Sequence, residues 1–245
     1  IVLFGPPIGP LPTAEGIRCL AESEGPQVLA AERLPEGVLE GVREEELEPQ
    51  SDRDNHDYVY RREDLAELPG RHLASKRNQV QQCLRDHDCA YEELTPDMIE
   101  EVRELQDRWC DERNCGKNPG LCDEYNAIQE LLDHWEQLRV FGGAVRIEGR
   151  LEAYTVGESL NPTTAVVHVE KAMTAFDGLY QVINQWFCRE ALGDFEYVNR
   201  EQDLGIAGIR RAKKSYHPDH MVRKYRLQLQ KSMVVPPASE GRCTE

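Results

Sequence analysis

The sequence predicts an α/β protein built on a mixed sheet, and three stretches carry that expectation. Residues 165–218 read as strand, helix, strand and helix. The β-branched run Val166, Val167 and Val169 is followed by Leu179, Val182, Ile183, Trp186, Phe187 and Leu192 at helical spacing, then by a second strand at residues 195–198. Residues 143–157 read as a hairpin about the Glu148-Gly149 turn. Between residues 95 and 138, Ile99, Val102, Leu105 and Trp109, then Ile128, Leu131, Leu132 and Trp135, mark two amphipathic helices that can cover the sheet.

Taken in order, the chain opens at Ile1 without a methionine, and its first strand-like run leads at once into Pro6, Pro7, Gly9 and Pro10, so a removed upstream segment is expected. A short helix is expected at residues 16–23 and a strand at 27–31, punctuated by Pro26, Pro35 and Gly37. A strand at 57–61 follows the acidic loop 51–54, and a basic helix at 70–84 turns Leu73, Val80 and Leu84 towards a core. The strand at 89–94 runs into Thr95-Pro96, a helix start because proline at the first helical position loses no needed hydrogen bond. A Gly/Pro loop at 113–122 separates the two helices, the second expected at 123–138. The first core strand, 165–170, and the strand at 195–199 are expected to run parallel, since one helix, capped by Asp177, crosses between them. A basic helix at 205–214 follows, and residues 230–245 read as a flexible tail.

The chain has 245 residues, 40% of them hydrophobic and 30% charged, which fits a globular fold of one large or two small domains. No apolar run approaches the roughly 20 residues that cross a bilayer, and no signal peptide is evident, so a cytoplasmic protein with reduced thiols is expected. The net charge of −16 argues against general nucleic-acid binding. The charge is uneven: residues 86–140 hold 16 acidic and 5 basic side chains, whereas residues 208–231 hold 8 basic ones and only Asp219 as an acid. The second stretch reads as a phosphate-facing surface or as a solvated helix face. Eight cysteines include none in Cys-x-x-Cys spacing, and only Cys110, Cys115 and Cys122 are close enough in sequence to suggest a metal site; none is assigned.

The segments HVEKA, GLYQVINQWF, YVNREQDLG and RRAKKSYHP, with DNHDYVY at 54–60 and ASKRNQV at 74–80, resemble the domain shared by uncharacterised bacterial proteins and the C-terminal part of phosphatidylglycerol lysyltransferases. The resemblance spans about residues 4–229. It implies two acetyltransferase-type folds in tandem, as in the Fem-type peptidyltransferases that use aminoacyl-tRNA. Residues 88–229 would form the second copy, and residues 1–87 an incomplete first one. The function implied is transfer of an aminoacyl group from aminoacyl-tRNA to an amine or hydroxyl, including a lipid head group reached from the membrane surface. No tightly bound cofactor is expected, and the oligomeric state is undetermined.

In that frame, Asp203, Lys214 and Tyr216 are the catalytic candidates: an acid to meet an incoming ammonium, and two donors for the oxyanion formed on the attacked ester carbonyl. Glu170, Asn199 and Glu201 are candidates to hold an α-ammonium or orient an acceptor amine, Asn184 and Gln185 to hydrogen-bond a loop or ligand, and His217 to position. Lys76, Arg77 and Asn78 are candidates for phosphate or tRNA-end contact, with Lys76, Arg77, Arg211 and Lys214 expected to line one groove. The acids can equally pair with Arg200, Arg210 and Arg211 in a structural network. Two other readings stand beside aminoacyl transfer. In the first, acyl-CoA is the donor, its pyrophosphate at the helix start 175–180 with Gly178, where Asp177 opposes a phosphate. In the second, the domain binds a small ligand or protein without catalysis.

Overall fold

The computed structural model describes residues 2–5, 15–17, 19, 30–39 and 47–229; the tail expected at 230–245 lies outside the described residues. The strands are β1 (Val2–Phe4), β2 (Ala30–Pro35), β3 (Leu47–Ser51), β4 (Asp57–Arg61), β5 (Cys89–Glu93), β6 (Val140–Ile147), β7 (Arg150–Asn161), β8 (Thr164–Ala172), β9 (Tyr197–Asn199), β10 (His220–Val222) and β11 (Lys224–Leu229). The helices are α1 (Arg62–Glu67), α2 (Ala74–Asp86), α3 (Ile99–Arg113), α4 (Pro119–Asp133), α5 (Leu179–Glu190) and α6 (Ala207–Lys214).

The chain divides by contact into two compact units, neither contiguous in sequence. The smaller takes in residues 1–58, 202–210 and 221–245, and the larger residues 59–201 and 211–220. By contact, residues 59–87 therefore belong with the larger unit rather than with the first stretch of chain. The smaller unit has a four-stranded sheet of order β1-β2-β11-β3, in which the late strand β11 lies antiparallel between β2 and β3.

The larger unit is organised by a sheet of order β10-β4-β9-β8-β7-β6-β5. Next to its β5 edge lies the β6-β7 hairpin, whose turn residues Glu148 and Gly149 both have positive φ, 52° and 85°. That left-handed pair matches the twist of the strands it joins, which is why glycine is needed there. β8 runs antiparallel to β7 and parallel to β9, through Thr164↔Tyr197, Ala165↔Val198 and Val166↔Asn199, as the crossover helix α5 requires. The pairing lasts only those three positions, so the carboxyl half of β8 runs past the end of β9.

Each face of the sheet is covered by helices whose apolar positions the sequence spaces correctly. Val102, Leu105 and Trp109 of α3 and Ile128 and Leu132 of α4 pack with Leu151, Tyr154, Val156 and Val169. On α5, Leu179, Val182, Ile183 and Phe187 are buried, and this helix packs against α1 and α2. α4 begins four residues before its expected start, because the Asn118 side chain accepts from Gly120 N at 3.1 Å and Pro119 occupies the first helical position. The expectation of reduced thiols fails at one place: Cys110 and Cys115 form a disulfide, which removes two of the three cysteines considered for a metal. Among the described residues no group of His, Cys, Asp and Glu is arranged to hold a metal ion, and no helix is long and apolar enough to cross a membrane.

Candidate functional site

Where β9 ends and β8 continues, the larger unit gathers charged groups that a protein interior ordinarily excludes. Arg200, the first residue after β9, has a side chain only 12% exposed. It donates from Nη2 to Glu170 Oε1 at 2.8 Å, while Glu170 Oε2 accepts from Asn184 Nδ2 of α5 at 3.1 Å. Strand alternation places these groups: Glu170 faces α5, and its neighbour Lys171 points through the sheet to Glu124 at 2.8 Å and to the Trp109 ring. The Arg200 guanidinium carbon stands 5.8 Å from the Tyr60 ring and 5.1 Å from the Tyr216 ring, and Lys76 Nζ lies 4.7 Å from the Tyr216 ring. Lys213 donates to the Arg200 carbonyl and Tyr60 Oη to the Lys213 carbonyl, which ties the helix end to the strand end.

The electrostatics follow from that crowding. Burial works against the charge on Arg200, but the Glu170 carboxylate more than offsets it, so the guanidinium stays charged. Burial and the Arg200 charge both lower the Lys76 pKa. Burial pushes the Tyr216 hydroxyl far above the ordinary tyrosine range, so it remains a proton donor. Two atoms in the cluster are left over: Arg200 Nη1, a buried donor, and Asn184 Oδ1, a buried acceptor on a side chain 2% exposed, have no hydrogen-bond partner. An unmet polar atom at such depth costs about 1–3 kcal/mol, and of the seven buried polar atoms left without a partner among the described residues, this donor and this acceptor share one cluster, which singles it out as the candidate site.

Of the sequence-derived candidates, Glu170, Asn184, Tyr216 and Lys76 come together here. Arg200, read from sequence only as a counter-ion, is the central residue, and Tyr60 was visible only as a strand residue of DYVYR. Asn199 and Glu201 serve the turn: Asn199 Oδ1 accepts from Glu201 N at 2.7 Å, and Glu201 Oε1 meets His168 Nδ1 at 2.8 Å. Gln185 is half-buried, while Asn78, Arg211 and Lys214 are exposed, and His217 stacks edge-on against His72. Arg77 does not join a basic groove; it donates to the Leu68 and Gly70 carbonyls at 2.5 and 3.2 Å, closing the end of α1.

Asp203 belongs to the smaller unit and is fully buried there. Its carboxylate accepts from Tyr58 Oη at 2.6 Å, Arg210 Nη2 at 2.7 Å, Arg210 Nε and Gly205 N at 2.9 Å, and Arg53 Nη1 at 3.3 Å. The Arg210 hydrogen bonds hold its pKa far below the ordinary carboxylate range, against the effect of burial. An acid with its lone pairs filled in this way carries no proton in exchange with substrate, and the structural network among the two sequence readings is the one that fits it.

The start of α5 is ill suited to a pyrophosphate. Gly178, at φ 88°, caps the helix in place of Asp177, which makes no side-chain cap. The Gln79 carbonyl oxygen lies 2.4 Å from where a Gly178 Cβ would stand, bringing a negative dipole end to that point. The amides of Leu179 and Gln181 already donate to the carbonyls of Phe176 and Gly178. Gly178 is thus accounted for by the close approach of α2.

A profile of the phosphatidylglycerol lysyltransferase C-terminal family matches residues 2–228. A conserved protein of unknown function from Bacteroides thetaiotaomicron is 34% identical, with 88% of this chain and 74% of that one covered at a TM-score of 0.82. The C-terminal domain of a putative lysylphosphatidylglycerol synthetase from Agrobacterium fabrum superposes at a TM-score of 0.68 with 15% identity, covering 95% and 78% of the two chains. FemX superposes at 0.60 with 10% identity over 92% of this chain and 83% of its own, so the α/β fold is of the Fem-like acyltransferase type. No match to a curated protein was found.

Proposed function

The chain belongs to the phosphatidylglycerol lysyltransferase C-terminal family, and from that premise we propose that it is an acyltransferase that passes an aminoacyl group from an activated ester, aminoacyl-tRNA, to an amine or hydroxyl. The observation that carries this reading is the open donor and open acceptor in the Arg200–Glu170–Asn184 cluster. An aminoacyl ester presents the complementary pair: a carbonyl oxygen that gains negative charge as it is attacked, suited to Arg200 Nη1 and the Tyr216 hydroxyl, and an α-ammonium suited to Asn184 Oδ1. Direct attack needs only alignment and a stabilised oxyanion, with no covalent enzyme intermediate. Glu170 holds both Arg200 and Asn184 in place, Lys76 beside the Tyr216 ring is the candidate to meet the donor's phosphate, and the proton the acceptor loses goes to the departing ribose hydroxyl of the tRNA. Lys214 is a candidate for contact with the donor at the surface. The crowded start of α5 favours this donor over acyl-CoA. The tandem arrangement belongs to the same reading and is supported by the smaller unit having a sheet of its own.

The test offers the purified protein radiolabelled aminoacyl-tRNAs and, separately, acyl-CoAs, each with amine and hydroxyl acceptors. Transfer from aminoacyl-tRNA alone is expected. Arg200→Lys, which keeps the charge but loses the forked geometry, is expected to lower kcat by about 100-fold, the scale of one oxyanion donor. Transfer from acyl-CoA, or an Arg200→Lys protein with unchanged rate, overturns the reading.

A further inference from the structure

Lys171 is a buried cation held by two helices that a single covalent bond fastens together. Its side chain is 6% exposed, and its ammonium lies 2.8 Å from Glu124 Oε1 and 3.9 Å from the centre of the Trp109 ring, whose Nε1 donates to Tyr180 Oη at 2.9 Å. Trp109 stands near the end of α3 and Glu124 in the second turn of α4, so the spacing of those two helix ends decides whether Lys171 keeps both partners. A buried ammonium that loses its carboxylate is costly, and its long side chain relieves the cost by moving towards water.

The Cys110–Cys115 disulfide sets that spacing. Cys110 follows Trp109 directly, and Asn114, left-handed at φ 53°, ends α3. The Cys115 carbonyl accepts from the amide of Asn118, the cap of α4, at 2.8 Å and from Cys122 Sγ at 3.2 Å. One sulfur–sulfur bond therefore joins the neighbour of Trp109 to the residue on which α4 is seated, and Glu124 stands two positions beyond Cys122. Both bonded cysteines pack against the core that contains Trp109.

The bond is also placed for exchange. Cys110 is half-buried, so its sulfur is within reach of a small thiol, whereas burial pushes the Cys83 and Cys188 thiols up to about 12 and keeps them from forming thiolates. A glutathione thiolate attacks Cys110 Sγ and displaces Cys115 as a thiolate, which takes up a proton. A second glutathione thiolate then attacks the glutathione sulfur of the mixed disulfide, releasing Cys110 and leaving glutathione disulfide. The two electrons and two protons that the cysteines gain come from the two glutathiones.

We propose that the Cys110–Cys115 disulfide is a redox-sensitive clasp: closed, it holds Trp109 and Glu124 on Lys171, and reduced, it lets the start of α4 move away and opens Lys171 to solvent at the end of β8. The proposal is independent of the transfer reaction, because Lys171 lies through the sheet from Glu170 and takes no part in it.

Acetylation by an N-hydroxysuccinimide ester, mapped by mass spectrometry on the full chain equilibrated with oxidised or with reduced glutathione, tests it. Thiols are counted in the same map after iodoacetamide, and exposed Lys214 is the reference. Labelling of Lys171 relative to Lys214 is expected to rise at least about tenfold in the reduced chain, the scale of a local opening, with cooperative thermal unfolding retained. The double variant Cys110→Ser, Cys115→Ser is expected to show the reduced level in both buffers. Cysteines unpaired in oxidised glutathione, a bond that reduced glutathione leaves intact, Lys171 equally protected once the bond is cut, or a double variant as protected as the oxidised chain overturns the proposal. Loss of cooperative unfolding on reduction also overturns it, since the bond would then be a staple for the larger unit and not a clasp on one lysine.

Discussion

His168 stands between two carboxylates, with Nδ1 2.8 Å from Glu201 and Nε2 3.2 Å from Glu158. The Glu201 hydrogen bond, working against burial, raises its pKa above the ordinary 6.5. Because the folded pKa is the higher one, the stabilisation is fully present below the unfolded value and is lost as pH rises through the folded value. Glu201 has positive φ and lies in the turn that begins with Arg200, so the imidazolium fastens that turn to β7 and β8. His168→Gln is expected to lower the melting temperature distinctly at about pH 5.5 and little at about pH 8.5. Equal losses at both pH values would show packing, not charge, to be the contribution. The same scale explains why the sequence alone does not tell the surroundings of Arg200 from those of Asp203. Both lie in the polar run at residues 199–203, and what separates them is long-range: Tyr58 and Arg53 fill one, and Tyr60 and Tyr216 flank the other while leaving a nitrogen open. Partners some 150 positions away leave no local pattern.

At the scale of elements, short-range periodicity proved a good guide wherever one helix or strand faces a single layer. The stripes of α3 and α5, the hairpin turn at Glu148-Gly149 and the parallel pair β8 and β9 were all legible for that reason. Ends were harder, because they depend on single caps: Asn118 starts α4 early, and Gly178, not Asp177, starts α5. Gly178 has a packing reason of its own at that helix start. Gly178→Ala meets two penalties, a left-handed backbone at φ 88° and a Cβ 2.4 Å from the Gln79 carbonyl oxygen. It is expected to cost about 2 kcal/mol, at the level of local backbone strain, and to displace α2 from α5. Urea unfolding measures the loss. A cost near zero would mean that α2 gives way freely and that the start of α5 is open to a ligand after all.

For the whole molecule, what local reading misses is that sequence order and spatial order part company twice. β4, early in the chain, pairs with β9 through Val59↔Asn199, Tyr60↔Val198 and Arg61↔Tyr197, and so lies inside the large sheet, between β9 and β10. β11, from the end of the described chain, is a central strand of the small sheet, bonded to β2 on one side and β3 on the other. Neither pairing has a signature in the sequence, since a strand's pattern tells which face is buried and not which neighbour it takes. A fragment of residues 88–229 follows the order of elements in the chain, yet it lacks β4 and both helices, α1 and α2, that cover α5, and it carries β11 without either partner. Such a fragment exposes the apolar face of α5 and the unpaired edges of β9 and β11, surfaces that drive aggregation. It is expected to be insoluble or molten, with helical circular dichroism but no cooperative unfolding, whereas residues 47–229 retain β4, α1 and α2 and are expected to unfold cooperatively. A soluble, cooperatively folded fragment of 88–229 would mean that β4, α1 and α2 are dispensable to the larger unit.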